Sequence, residues 1–298
     1  TILLEQCLQS IQKTISPTKK TSTEPPNVEV ILVLNDNDDI EAGNHLMEAH
    51  GLSGFAINDQ AHFNFARKCN LGAKASSGTI LIFLNDDTEF ISTEWIEDVV
   101  SLLSEDDVAC VGGMLLDEDG TVQSCGDNVS LNSATHYDPY PFPDNEGDPF
   151  HRYHADHETT SITGAFFCCR KKVFADLDGF DETFSNSFQD VDFCLRARKQ
   201  GLRCVVSPHI KLFHFESSTR DPTVDPETLL LLRAFHSDIM AAKDEYSLWA
   251  HQPVRAPLWS PARVIHEIIR TRAWLVSLII NLPFISSKQR ERFTALIE

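Results

Sequence analysis

The chain is poor in positive charge: 25 Lys and Arg stand against 44 Asp and Glu, for a net charge of −19. That balance excludes a nucleic-acid binder, because no basic field is available to displace phosphate counterions. The eight cysteines show no CxxC pair and no other zinc-type spacing, and Cys168 and Cys169 are adjacent, a poor geometry for a bridge. They read as reduced core thiols of a cytoplasmic protein rather than as a disulfide framework. Long apolar runs are absent too. The longest, from Ala273 to Ile285, contains Ser277 and Asn281 and falls short of the ~17–25 residues that a membrane span requires. No secretory leader pattern opens the chain.

What is present is an ordinary globular composition, 42% hydrophobic and 23% charged over 298 residues, enough for one large domain with or without an appendage. Leu3, Leu4, Cys7, Leu8, Ile11 and Ile15 recur at helical spacing, and Pro17, Pro25 and Pro26 predict a loop after them. The run VEVILVL, Val28 to Leu34, predicts a strand covered on both faces. A helix ending near His50, a short strand Gly54 to Ile57 and a helix Asn64 to Ser76 follow. Next come a buried strand TILIFL, Thr79 to Leu84, a helix striped by Trp95, Ile96, Val99, Val100 and Leu103, and a strand Val108 to Val111. This alternation predicts an α/β domain with a mainly parallel sheet. In such sheets ligands bind beyond the carboxyl ends of the strands.

From Asn128 to about Glu158 the periodicity fails, and four prolines among Tyr, His and Asp predict a long irregular loop. Its Tyr137, Tyr140, Phe142 and Tyr153 suit stacking on sugar rings or packing under the loop. The spacing of His136, His151, His154 and His157 fits no metal-ligand set. Beyond it we expect a helix around Val191 to Gln200 and two short strands ending near Ser207 and His214. Asp225-Pro226-Glu227 is a helix start, placing a boundary between a domain over 1–224 and a helical extension over 225–298. Residues 261–298 carry a net +3 against −22 for the rest. They read either as a peripheral contact with anionic lipid or as a packed helical appendage.

Three segments can carry chemistry. Asn85-Asp86-Asp87 directly follows a buried strand, where carboxylates hold a divalent cation and through it a diphosphate, or merely form a solvated turn. Phe188-Gln189-Asp190-Val191-Asp192 enters a helix; either acid could be a general base and the other a cap, or both could serve the helix alone. His214, in HFESSTR, offers an imidazole for a metal or a structural hydrogen bond, and Arg220 offers a guanidinium for phosphate.

Taken together, these segments resemble the family 2 glycosyltransferases, which have the GT-A fold. The resemblance runs from about Leu3 to Arg220. It rests on CLQSI, FNFARKCNLGAKASSG, ILIFLNDDTEF, TGAFFCCRKKVFADLDGFDE, FQDVDFCLRARKQG and HFESSTRD. LNDDTEF with HFESSTR is most similar to the bacterial branch that builds cell-surface polysaccharides, including rhamnosyltransferase-like members. The resemblance implies a nucleoside diphosphate sugar donor, a glycan or lipid-linked saccharide acceptor, and a Mn²⁺ or Mg²⁺ cofactor. It implies that Asp87 and His214 hold the metal, that Asn85, Asp86 and Arg220 meet the donor, and that Asp190 is the base of an inverting transfer. Gly164, Ala165 and Asp192 fall on the acceptor side. Gln189 replaces the first acid of the family's ED pair, and Asn85 the first of its DxD. Asn35 stands beside Leu34, where the family offers an aspartate to the nucleotide base.

The family's first strand, with its nucleotide loop, belongs before Leu3, so the sequence is expected to be a fragment. The enzymatic alternative, a nucleotidyltransferase, would show a glycine-rich phosphate loop with a basic residue near its start, which the sequence lacks. A glycan-binding or scaffold module of a polysaccharide synthase is the non-catalytic alternative.

Overall fold

The computed structural model describes residues 2–15, 27–35, 38–129, 134–136, 154–215 and 226–241. The chain opens with α1 (Ile2–Ile15), followed by β1 (Val30–Asn35), α2 (Ile40–Ala49), β2 (Gly54–Asp59) and α3 (Phe65–Ala75). Next come β3 (Ile80–Leu84), β4 (Thr88–Phe90), α4 (Trp95–Leu103) and β5 (Val108–Leu116). β6 (Val122–Ser124) follows, and the region read as an irregular loop from Asn128 holds, among its described residues, β7 (Asp127–Val129) at its start, β8 (Ala134–His136) within it and β9 (His157–Thr159) at its end. It leads to β10 (Phe166–Arg170), α5 (Lys171–Asp176), α6 (Gln189–Lys199), β11 (Arg203–His214) and α7 (Pro226–Ala241).

Local chemistry starts the helices. Asp39 accepts hydrogen bonds from the N–H groups of Glu41 and Ala42 at the start of α2, and Asn64 accepts from Arg67 N–H at the start of α3. The first turn of α6 is different. Phe188 precedes it with φ 69° and ψ 5°, a left-handed conformation that a bulky residue adopts only where the surroundings hold it.

The sheet is mixed, where the alternation predicted mainly parallel strands. Its main path runs β3-β10-β5-β11-β4, with β6 on β5 and β9 on β11. β3, β5 and β11, each reached through a helix, share one direction. β10 lies antiparallel between β3 and β5. The reason is topological: β10 starts at the end of the sheet where β5 stops, with no crossover to the other end, so it fills the gap between β3 and β5 in reverse. β1 and β2 form a separate parallel pair. The residues of β1 from Val30 to Leu34 are only half-buried, not covered on both faces as expected, and among the described residues β1 is paired on one edge alone.

The two strands expected to end at Ser207 and His214 are one, β11, whose register with β5 shifts between Ser207 and Lys211. Pro208 explains the shift, since it has no N–H to give the ladder. Gly113 of β5 lies opposite the shift; a Cβ there would stand 2.6 Å from the Ile210 carbonyl oxygen.

Core packing covers both faces of the sheet. Phe166 and Cys168 point to the side of Phe90 and Trp95. Phe167 and Cys169 point to that of Phe83, Phe174, Phe180 and Phe193. The two-residue period of a strand thus places the adjacent cysteines on opposite faces. None of the eight cysteines is in a disulfide, and all but Cys69 are buried. The thiols of Cys110, Cys194 and Cys204 lie within 4.8 Å of one another. Burial pushes those of Cys110 and Cys194 well above the ordinary range, so they are neutral and serve as small core side chains.

Candidate active site

β3 ends at Leu84, and the chain turns through Asn85 and Asp86 to Asp87 before β4. The turn is fixed from two sides: Asn85 N–H donates to the Ala165 carbonyl at 3.0 Å, and the Thr88 hydroxyl donates to the Asn85 carbonyl at 2.8 Å. His214 ends β11, paired with Thr88 in the β4–β11 ladder, and Phe215 N–H donates to the Asp87 carbonyl at 2.9 Å. Sheet pairing therefore unites residues 127 positions apart. His214 Nε2 stands 3.4 Å from Asp87 Oδ1 and 3.4 Å from the Asn85 amide nitrogen.

The tautomer of His214 follows from its other nitrogen. Gln123, on β6, gives its amide N–H groups to Asp117 Oδ1 at 2.9 Å and to the His214 carbonyl at 3.2 Å. Its oxygen must then accept, so the hydrogen of the 2.6 Å contact between His214 Nδ1 and Gln123 Oε1 belongs to Nδ1. In the neutral ring, Nε2 then turns a lone pair toward Asp87.

Asp87 Oδ1 is buried and has no hydrogen-bond partner. Two acceptors facing each other at 3.4 Å are relieved by a cation shared between them or by a second proton on the imidazole. Burial raises the Asp87 carboxyl, but His214 and the neighbouring donors outweigh it and hold the group below the usual carboxylate range. An ionised carboxylate oxygen, an imidazole nitrogen and the Asn85 amide suit Mn²⁺ or Mg²⁺, so the residues present fit such an ion. Asp86 is exposed at the tip of the turn.

Asp190 is held at the first turn of α6. Its Oδ2 accepts from Gly164 N–H at 2.6 Å and its Oδ1 from Val191 N–H at 2.8 Å. Burial, then the charge of Asp127, raises this carboxyl to about 6, and the two backbone N–H groups moderate the rise. Asp127 is itself buried, accepting from the Ser161 hydroxyl at 3.1 Å. Gly164 and Ala165 join the two halves. Gly164 N–H serves Asp190 while the Ala165 carbonyl serves Asn85, so Asp190 and the acidic turn are bonded to one short backbone segment at the head of β10. A Cβ on Gly164 would lie 3.2 Å from Asp190 Oδ2 and 3.3 Å from the Gln189 amide nitrogen, which leaves no slack for a side chain there. Gln189, buried beside Asp190, adds no further negative charge to the Asp127–Asp190 pair.

Asp192 does not join them. It was placed on the acceptor side, yet its carboxylate is 2% exposed, paired with Arg196 at 2.7 Å and with His236 Nε2 at 2.7 Å. Two positions on from Asp190, it faces the opposite side of α6, toward the core. Asn35 lies exposed at the end of β1, its N–H bonded to Asp38 Oδ2 at 2.8 Å and its carbonyl to the Asn58 amide at 2.8 Å. Arg220, the aromatic residues 137, 140, 142 and 153, and segment 261–298 lie outside the described residues.

Three site residues were missed in the sequence. Gln123 and Asp127 lie just before the stretch where periodicity fails, in a segment given no element, and no motif marks them. Lys68 could have been singled out as a cation within FNFARKCN. Its amino group donates to the Val33 carbonyl at 3.0 Å, and the charges of Asp59, Asp38 and Asp86 act on it. A cation therefore stands between the turns that follow β1 and β3.

A mixed sheet with an acidic turn after β3, a histidine at the end of the last strand and a carboxylate leading the last sheet-bound helix defines a GT-A nucleotide-sugar transferase fold. The family model "Glycosyltransferase like family 2" matches residues 11–225, and the chain belongs to that family. It is 32% identical over 216 residues to the O-antigen biosynthesis protein RfbC of Myxococcus xanthus, covering 72% of this chain and 17% of the relative. It is 28% identical over 259 residues to the uncharacterized protein y4gI of Sinorhizobium fredii, covering 84% and 28%. The chain thus spans less than a third of either relative. Among solved structures, GalNAc-T7 with UDP, GalNAc and Mn²⁺ aligns at a TM-score of 0.57 with 15% identity, over 78% of this chain and 45% of that one. The mannosyltransferase PcManGT from Pyrobaculum calidifontis, in complex with GDP-Man and Mn²⁺, aligns at 0.52 with 14% identity, over 99% and 81%. These two establish the GT-A fold. No helix among the described residues is long and apolar enough to cross a membrane.

Proposed function

We propose that this chain is the transferase module of an inverting, metal-dependent glycosyltransferase. It moves a sugar from a nucleoside diphosphate sugar to a hydroxyl of a glycan or lipid-linked saccharide. The observation that carries the proposal is the pairing of Asp87, whose buried oxygen lacks a partner, with His214, in a turn whose Asn85 is bonded to the same Gly164–Ala165 segment that holds Asp190. Asp87 and His214 would hold Mn²⁺ or Mg²⁺, with Asn85 beside them. Such an ion supplies positive charge to the diphosphate as it leaves.

The chain's own residues do the rest. Gln123, anchored by Asp117, keeps the Nε2 lone pair of His214 turned toward Asp87. Asp190 takes the proton of the acceptor hydroxyl as that oxygen bonds to the anomeric carbon. The bond from that carbon to the phosphate oxygen breaks with its electron pair going to the diphosphate, and displacement from one side inverts the centre. A carboxyl near 6 is mostly ionised at neutral pH yet more basic than an ordinary aspartate. The absent side chain of Gly164 leaves room beside Asp190. Asn35, Asp86, Lys68 and Arg220 are assigned to the donor, and Gly164 with Ala165 to the acceptor side.

The relatives support the substrate class: RfbC is named for O-antigen biosynthesis, and the GalNAc-T7 and PcManGT structures hold UDP with GalNAc and GDP-Man. A cytoplasmic location and a peripheral membrane contact through 261–298 belong to the same proposal. They rest on the cysteines being thiols rather than disulfides and on the charge of that segment.

A thermal-shift panel of UDP, GDP and dTDP with and without Mn²⁺ tests the reading. Stabilisation that requires both a diphosphate and the metal, and that Asp87→Ala removes, is expected. Preference for triphosphates would indicate nucleotidyl transfer instead, and no response to any diphosphate would point to a scaffold module.

A further inference from the structure

The family match ends at residue 225, and α7 begins at Pro226. Yet α7 packs on the helix that carries Asp190, and it does so through a buried polar contact. His236 is 3% exposed, and its Nε2 lies 2.7 Å from Asp192 Oδ1. The other oxygen of Asp192 accepts from Arg196 Nε at 2.8 Å. Arg196 in turn donates to the carbonyls of Leu177 and of Gly179, the latter at 2.8 Å. The backbone of α7 leaves helical geometry at His236 itself, with φ −131° and ψ 17°. The helix is therefore broken at the residue whose ring reaches Asp192. Lys199 near the end of α6 adds an ion pair to Asp238 at 2.9 Å and a bond to the Phe235 carbonyl at 3.2 Å.

Apolar packing runs through the same contact. Leu232 and Met240 of α7 share one buried cluster with Phe184, Phe188, Val191 and Leu195. Phe188 is the residue held left-handed just before Gln189 and Asp190. Such a conformation is strained for a bulky residue and persists only when surrounding contacts fix it. Phe188 is 8% exposed, buried in the cluster that Leu232 and Met240 of α7 help to form.

From this we infer that His236 is a positioning residue: through Asp192 it clamps α7 onto α6 and so holds the strained Phe188–Asp190 turn that aims the Asp190 carboxylate at Gly164. The inference rests on Asp190 as the base for its meaning in catalysis. The placement of the carboxylate can be read without any turnover. Gly164 and Val191 N–H both donate to Asp190, so their amide resonances follow its titration directly.

The test compares two substitutions in the full chain. His236→Gln places an amide N–H where Nε2 stands and keeps the bond to Asp192. His236→Asn, also polar and shorter, places its amide near Nδ1 and loses that bond. The amide shifts of Gly164 and Val191 are followed against pH, with Asp190→Asn identifying the transition that belongs to Asp190. We expect His236→Gln to keep the wild-type midpoint. In His236→Asn the midpoint should move down toward the ordinary aspartate value, and the two amides should exchange faster by about tenfold or more. Equal behaviour of the two variants, or unmoved Gly164 and Val191 signals in a folded His236→Asn, would overturn the inference. A second measurement needs no variant. In the wild type, native-state exchange of Gly164 and Val191 should share the denaturant-dependent opening of α7, and protection independent of α7 would also overturn it. Retained turnover in Asp190→Asn would remove the base assignment alone and leave the clamp standing.

Discussion

Asp190→Asn should make the protein more stable at neutral pH while abolishing transfer. The wild-type carboxyl titrates near 6 in the folded chain against an ordinary 3.8, because burial and the charge of Asp127 penalise its ionised form. Between those two values the folded state holds a proton that the unfolded state has released, so stability falls as pH rises from 3.8 to 6 and stays low above it. A difference of about two pKa units corresponds to about 3 kcal/mol of stability missing at pH 7–8. Asparagine carries no charge and escapes this penalty. It has one oxygen for two N–H donors, however, Gly164 at 2.6 Å and Val191 at 2.8 Å, and leaving one unserved costs about 1–2 kcal/mol. The net gain is therefore about 1–2 kcal/mol at pH 8, a rise in Tm of about 3–6 °C for a domain of this size. Below pH 3.8 the carboxyl is protonated in both states, the penalty vanishes, and asparagine should give no advantage. Paired calorimetric scans at pH 8 and pH 3.5, with nucleoside diphosphate release followed at pH 8, read both halves. A variant destabilised at pH 8 as much as at pH 3.5 would refute the account of Asp190 as a desolvated, charge-burdened base.

The wild-type rate should show the same group from the other side: kcat/KM falls tenfold per pH unit below about 6 and is flat above it, as measured with saturating Mn²⁺. Gln123→Leu removes the acceptor for His214 Nδ1–H and frees the ring, so Mn²⁺ affinity in a calorimetric titration should drop about 10–100-fold; unchanged affinity would exclude Gln123 from the site. Gly164→Ala puts a methyl 3.2 Å from Asp190 Oδ2. It should lower turnover about tenfold or more while donor binding holds, since small displacements at a reacting group are costly. Equal loss of both would mean that the segment is reshaped rather than crowded.

The sequence alone determined the α/β class, most helices and the three chemistry-bearing segments. Those features are written in short-range terms: the stripe of Trp95, Ile96 and Val99, the caps Asp39 and Asn64, and an acidic turn placed after a buried strand. Tertiary structure decided what no local pattern encodes. β10 entered the sheet in reverse because of where a long excursion returned, and the ladder across Pro208 joined two expected strands into one. His214 met Asp87 only because β11 pairs with β4. Gln123 and Asp127 came beside His214 and Asp190 although no motif or predicted element marks their segment. Asp190 and Asp192 looked interchangeable two positions apart. Helix geometry turned one toward Gly164 and the other toward Arg196 and His236, so two carboxylates close in sequence meet different partners.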